Sequence, residues 1–308
     1  MSFDVCVFAG QGAQFPGMGK DLAEDAEIAA LFEKAGEALG VDLAKLCFEG
    51  PAEELTKSNV CQPAIFTVSV AAYRALRKRC ASADFKIAGG LSLGEWTALH
   101  VAGVLDFASA LKVLEARGRF MQEACEAQPS GMVSIMGAAD DQIKAICERA
   151  GVTVANINSD SQVVLSGTKD NVAAAAEVAG DIGVKAIVLN VAGAFHSPLM
   201  ASAREKLADV LDSIEFKVPE FPVLANVSGK PHQNDPAAIK GAMLRQVTES
   251  VRWSDCVKYA IGDGAGRFVE FGPGKVLSGL VRRIDKSVAM LNVQDVASLE
   301  QTATALSC

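Results

Sequence analysis

Histidine is scarce: the 308 residues hold three, His100, His196 and His232, and no two share a helix turn. That argues against a histidine-clustered zinc site, and no metal is expected. None of the eight cysteines, Cys6, Cys47, Cys61, Cys80, Cys125, Cys147, Cys256 and Cys308, forms a CxxC pair. Most lie in apolar or helical surroundings, so reduced and mostly buried thiols are expected. No uncharged run of about 18 residues could span a membrane. The opening MSFDVCVFAGQGAQ lacks a basic segment ahead of its apolar stretch, so no export leader is expected, and a cytoplasmic location is. Positive charge is also short: 29 Lys and Arg stand against 37 Asp and Glu, for a net charge of −8. A general nucleic-acid binder is therefore a poor fit. What the chain does have is apolar mass. Half its residues are hydrophobic and 21% are charged, enough to build a sizeable core in one large domain or two at about 150 residues each.

Short apolar strands closed by glycine alternate with Ala-rich amphipathic segments. FDVCVFAG (3–10) reads as a strand running into a glycine loop. Helical stretches are expected around 20–40 and 63–80, a short strand at KIAGG (86–90), and a helix in EWTALHVAGV directly after it. This rhythm predicts an α/β fold with a mainly parallel sheet. The middle differs. MVSIMGA (132–138) reads as a strand, DDQIKAICERAG (140–151) as a helix, VTVANIN and QVVLSGT as strands, DNVAAAAEVAGDIG as a helix and VKAIVLNVAG as a strand. The order β-α-β-β-α-β is that of a ferredoxin-like unit, here spanning 125–192 as an insert. Residues 1–124 and 193–308 then form the surrounding core, with further strands near FPVLANVSG and RFVEFGPG.

Gly90-Leu91-Ser92-Leu93-Gly94 is the sharpest chemical signal. It follows a strand and opens a helix, the setting of a nucleophile elbow. A serine on a strained turn needs neighbours without bulk two residues before and after. The helix N-terminus beneath it offers backbone N–H groups to an oxyanion, and Glu95 in the first turn suits the dipole. The competing reading is an ordinary serine on a glycine-rich turn. His196, in AFHSP, ends a loop before a helix that Ser197 caps and Pro198 starts. It suits a base or a packing histidine equally well. His100 falls on an apolar stripe and reads as a core residue, and His232, in KPHQNDP, as a solvated turn residue. By elimination His196 is the best base for Ser92. Arg117 lies on the edge of the apolar stripe of the helix near 106–127, three residues after Leu114 and four before Met121. A guanidinium turned inward needs a partner: either an internal Asp or Glu, or the carboxylate of a substrate held in a fork. GQGAQ (10–14) fits neither GxGxxG nor GxxxxGK[ST], and better suits a loop lending a backbone N–H beside the serine.

Five segments in this order, GQGAQ, GLSLGEWTAL, RGRFMQEA, GAFHSPLM and LNVQDVASLE, resemble the malonyl-CoA:acyl-carrier-protein transacylase family, from Phe3 to about Leu299. The resemblance implies an α/β-hydrolase-like core with an inserted ferredoxin-like subdomain. It implies Ser92 as nucleophile, His196 as general base and acid, and the backbone N–H groups of Gln11 and Leu93 as oxyanion hole. Arg117 matches the residue that holds the malonyl carboxylate. Gln246 matches the residue whose carbonyl orients the histidine, and Met121, Met132 and Phe195 match pocket-lining positions. The family elbow usually reads GHSLG; Leu91 replaces its histidine. Malonyl-CoA and acyl carrier protein are the implied partners, with no cofactor beyond the CoA thioester substrate and a monomeric enzyme serving fatty acid synthesis.

Two rival functions remain. A serine esterase or thioesterase on this core would place an acid between serine and histidine in the chain, and none is obvious before His196. A non-catalytic carrier-protein-binding module would not need Ser92, His196 and Arg117 together. An acidic carrier protein must find a local basic patch on this acidic chain. Arg74, Arg77, Lys78 and Arg79 form one cluster, read as a solvated helix face; Lys275, Arg282, Arg283 and Lys286 form the other.

Overall fold

The computed structural model describes residues 2–308. Its strands are β1 (Phe3–Phe8), β2 (Phe85–Gly90), β3 (Ser130–Met136), β4 (Thr153–Ser159), β5 (Gln162–Thr168), β6 (Lys185–Val188), β7 (Leu224–Ala225), β8 (Lys230–Pro231), β9 (Ala265–Phe271) and β10 (Ala289–Val293). One sheet runs β10-β9-β1-β2, and every pairing in it is parallel. Val5, Cys6, Val7 and Phe8 of β1 are all fully buried, which is what a strand covered on both faces requires. Cys6 and Phe8 join the cluster that contains Phe66, Leu99 and Leu111. Val5 and Val7 join the one that contains Cys256, Leu277 and Val281. Alternate side chains of one strand thus enter different layers, so helices cover both faces of the sheet.

The second sheet runs β4-β5-β3-β6 and is antiparallel throughout. Its helices, Asp140–Ala150 and Lys169–Asp181, pack on it through a third apolar cluster containing Val133, Ile135, Ile146, Leu165 and Val172. Chain order here is strand, helix, strand, strand, helix, strand.

Element boundaries shift where local chemistry overrides periodicity. The first long helix starts at Ala26, because the Asp25 carboxylate accepts from Glu27 N and Ile28 N and ends a short 3-10 turn at Leu22–Glu24. The next reaches back to Ser58 and takes in Pro63. Strand β6 stops at Val188, and the expected strand in FPVLANVSG shrinks to β7, with Val223 bridging Ala88 of β2. The edge strand β10 has no counterpart in the sequence reading.

Two of the eight cysteines meet across the fold. The C-terminal helix Val296–Ala305 packs on the helix Ser58–Arg79. That brings Cys308 to Cys80 across 228 residues, with their Cα atoms 5.3 Å apart, within reach of a disulfide. Sequence spacing alone could not have paired them. The other six are free. Burial pushes the Cys47 and Cys61 thiols up to about 12 and Cys125 to about 11, which leaves them protonated and inert.

Candidate active site

Ser92 stands between the end of β2 and the helix Leu93–Val101, at φ 54° and ψ −102°. A non-glycine residue held there costs about 1–3 kcal/mol and persists only where its surroundings dictate it. Those surroundings are visible. Ser92 N donates to Asn226 Oδ1 at 2.7 Å, Gly90 O accepts from Asn226 Nδ2 at 2.8 Å, and Ser92 O accepts from Gln246 Nε2 at 3.0 Å. A Cβ on Gly90 would run into the backbone of Gly94, and a Cβ on Gly94 into Phe8 O. Both glycines are therefore steric necessities of the turn.

His196 shares the strain, at φ 55°. It precedes the short 3-10 turn Pro198–Met200, whose N-cap is Ser197. Its Nε2 lies 2.8 Å from Ser92 Oγ and its Nδ1 2.7 Å from Gln246 O. A carbonyl can only accept, so Nδ1 carries the proton and the Nε2 lone pair faces the serine hydroxyl. The imidazole contacts no carboxylate among the described residues; a backbone carbonyl fills the third place of a triad. Burial and then the charge of Arg117 push His196 down to about 4, against the opposing pull of the Gln246 carbonyl. The ring is neutral at pH 7 and free to take a proton.

Arg117 lies in the helix Phe107–Ala127 and is 1% exposed. Its Nη1 donates to Gln62 Oε1 at 2.7 Å; its Nη2 donates to Ser92 Oγ at 3.0 Å and Gln246 Oε1 at 3.1 Å. Its Nε is buried without a partner. The internal ion pair that sequence left open as one reading is absent among the described residues. Burial pushes the guanidinium down to about 10, with Glu95 opposing, so it remains cationic. A cation buried without a carboxylate is costly, and this one is aimed at the serine hydroxyl.

Of the remaining sequence candidates, Gln246 bonds to all three. Leu93 is fully buried at the helix start, and a Cβ on Gly10 would stand 2.7 Å from Leu91 O, so the glycine loop at 10–14 lies against the elbow. Gln11 Oε1 accepts from Gln62 Nε2 at 3.3 Å. Met121 is buried and its Sδ accepts from Gln62 Nε2 at 3.8 Å. Met132 and Phe195 are buried in the same core cluster, and Phe195 O accepts from Ser166 Oγ at 2.7 Å. Leu91 packs on the cluster that covers the far face of the sheet. His100 is a packed histidine, as expected, with Nδ1 2.9 Å from Leu105 O and its ring against Phe66 and Phe107.

Three features escaped the sequence. His232 is not solvated: it is buried, with Nε2 2.7 Å from Glu95 Oε1. The KPHQNDP turn folds inward because His232 N donates to Val223 O. Gln62 and Asn226 hold the fork and the elbow, yet each stands in an ordinary apolar segment. Their only signal is a lone amide where burial is expected, which must find hydrogen bonds.

A hydroxyl bonded to a neutral buried imidazole and flanked by a guanidinium can accept an acyl group that carries its own carboxylate. No cluster of three or more metal-binding side chains occurs among the described residues. None of their helices is long and apolar enough to cross a membrane.

Residues 5–304 match the model of the acyl transferase domain family. The chain is 40% identical over 307 residues to a malonyl CoA-acyl carrier protein transacylase of Bacillus subtilis (strain 168), covering 97% of this chain and 96% of that one. The crystal structure of malonyl CoA-acyl carrier protein transacylase from Clostridium perfringens superposes with a TM-score of 0.95 at 37% identity, over 99% of this chain and 98% of that one. A malonyl-transacylase solved in complex with its type II PKS acyl-carrier protein gives 0.95 at 38%, over 99% and 100%. With a strained serine, a histidine and a buried arginine converging inside that shared fold, the chain belongs to the acyl transferase domain family, among its malonyl CoA-acyl carrier protein transacylases.

Proposed function

We propose that the protein moves the malonyl group from malonyl-CoA to the phosphopantetheine thiol of acyl carrier protein through a malonyl-Ser92 intermediate, supplying fatty acid synthesis. The observation that carries this is the buried Arg117 fork, without a carboxylate partner, 3.0 Å from a hydroxyl that is itself bonded to His196. In the first half-reaction the malonyl carboxylate takes the guanidinium in bidentate fashion and draws Nη2 off Ser92 Oγ. His196 Nε2 accepts the hydroxyl proton as Oγ attacks the thioester carbon. The N–H groups of Gln11 and Leu93 hold the oxyanion. Neither donates elsewhere among the described residues. The imidazolium returns its proton to the departing CoA sulfur. In the second half-reaction His196 takes the proton of the carrier thiol, the thiolate attacks malonyl-Ser92, and the serine oxygen leaves with that proton.

Gln246 orients His196 through its carbonyl, and Met121, Met132 and Phe195 line the acyl pocket. No metal or cofactor takes part; the CoA thioester is a substrate. The enzyme acts as a cytoplasmic monomer. Residues 125–192 form the inserted ferredoxin-like subdomain, and 1–124 with 193–308 the α/β-hydrolase-like catalytic core. The separate apolar cluster behind β3 to β6 supports that division.

Intact mass after mixing with malonyl-CoA tests the reading. One malonyl adduct is expected, absent in Ser92→Ala and scarce with acetyl-CoA. Free malonate accumulating with no adduct would indicate a hydrolase instead.

A further inference from the structure

Glu95 and His232 are two buried titratable groups that the transfer steps do not use. Glu95 is 1% exposed, in the first turn of the helix that Ser92 begins. A helix N-terminus explains an acidic residue at its rim but not a carboxylate withdrawn from water. Its two oxygens are fully engaged. Oε1 accepts from His232 Nε2 at 2.7 Å, and Oε2 accepts from Asn226 N at 3.1 Å and Gln246 Nε2 at 2.5 Å. Two of those partners lead back to the reacting groups. Asn226 holds Ser92 N and Gly90 O, while Gln246 holds Ser92 O, His196 Nδ1 and Arg117 Nη2.

The Gln246 amide is the hinge of this arrangement. Its Oε1 can serve Arg117 only while its Nε2 points the other way, and what lies that way is the Glu95 carboxylate and the Ser92 carbonyl, which only accept. Flipping the amide would set an NH2 against a guanidinium and an oxygen against a carboxylate, so Glu95, with its charge, reinforces the hold of Ser92 O on the orientation that suits the fork. Its charge also opposes the effect of burial on Arg117. His232 saturates the remaining oxygen and keeps the carboxylate in place.

We propose that the Glu95–His232 pair is a positioning unit that sets Arg117, through the Gln246 amide, for recognition of the acyl carboxylate. This rests on the transacylase reading above. It makes Glu95 a determinant of selectivity, because an acetyl group has no carboxylate for the fork to hold.

The test is the rate of Ser92 acylation by malonyl-CoA and by acetyl-CoA, followed by quenched-flow intact mass. In Glu95→Gln the shape is kept but a donor replaces one acceptor, and the Gln246 amide loses its charged anchor. The malonyl-over-acetyl ratio is expected to fall about tenfold or more, the scale of one charge-assisted hydrogen bond. His232→Gln can still donate to Glu95 and should retain the ratio within about threefold. Equal slowing of both acyl groups in folded Glu95→Gln, or an unchanged ratio, would reduce the pair to scaffolding and overturn the proposal. If Glu95→Gln does not fold, His232→Leu, which strips one bond from the carboxylate, is read the same way: a fallen ratio supports the proposal and a retained one overturns it. Failure of the wild-type chain to form a malonyl adduct would sink the transacylase reading itself.

Discussion

Ser92 and His196 are held by their backbones, whereas Arg117 is held by its helix. The first two sit on short connections at φ 54° and 55°. The third rides in an unbroken helix of 21 residues and needs no strain. The difference follows from what each must do. A nucleophile and its base must meet within a few tenths of an ångström, so their main chains are bent and braced from several directions. A charged fork needs to be dry and correctly oriented, and helix register with side-chain amides supplies both. Strain concentrates where geometry is strictest, while the fork stores its cost as an unmet charge.

The strained pair is the place for the largest effect. His196→Ala removes the base and its hold on Oγ without touching Arg117. Malonyl-Ser92 formation should slow by about 10³–10⁴, read by intact mass, with the fold unchanged by circular dichroism. Gly94→Ala breaks the same half of the comparison from beneath, since its Cβ meets Phe8 O; it should cost both stability and activity.

Arg117→Ala breaks the other half. The malonyl kcat/KM should fall by about 10² or more, because a buried charge recognises its counter-charge far better than a pocket recognises a methyl group. Acetyl transfer should rise, as neither an unmatched guanidinium nor its bond to Ser92 Oγ then opposes a neutral guest. Retained preference for malonyl would dissociate Arg117 from selectivity.

Legibility divided along the same line. The elbow announced itself in Gly90, Ser92 and Gly94, because backbone strain demands particular residues at particular spacings. Arg117 was visible as a charge misplaced on an apolar stripe, although stripe position cannot say whether its partner is internal or a ligand. Gln62, Asn226 and the Glu95–His232 pair were not visible. They are polar residues whose meaning lies in contacts across 20 to 151 positions, and His232 in a Pro- and Asn-rich turn looked solvated. The alternating strands were readable from periodicity, whereas β8 and β10 were not, being short or carried by sheet-edge pairing.

The pH profile sharpens the comparison by reading one half through the other. His196 must be neutral to act, so activity is lost as pH falls through its pKa. Burial and Arg117 hold that value down to about 4 in the free enzyme. The acid limb of kcat/KM for acetyl-CoA should therefore lie near pH 4 in the wild type. It should move upward in Arg117→Ala, toward the usual histidine range near 6.5. A limb that stays in place would mean that burial alone depresses the base.

The smallest effect lies away from both halves, on the surface an acidic carrier protein would meet. The cluster at 74–79 is largely engaged: Lys78 pairs with Asp25 at 2.6 Å and Glu27 at 3.7 Å, Arg79 with Glu300 at 3.1 Å, and Arg74 lies over Phe107. Lys275, Arg282, Arg283 and Lys286 are exposed, and Arg283 reaches only the Gln162 amide oxygen, at 3.5 Å, among the described residues. Uncommitted charge is what steers an oppositely charged partner. The double change Arg282→Glu, Arg283→Glu should slow transfer to carrier protein about three- to tenfold, more so at low salt. It should leave Ser92 acylation by malonyl-CoA unaltered, since neither side chain contacts the serine, the histidine or the fork. Equal loss in both half-reactions would place the docking surface elsewhere.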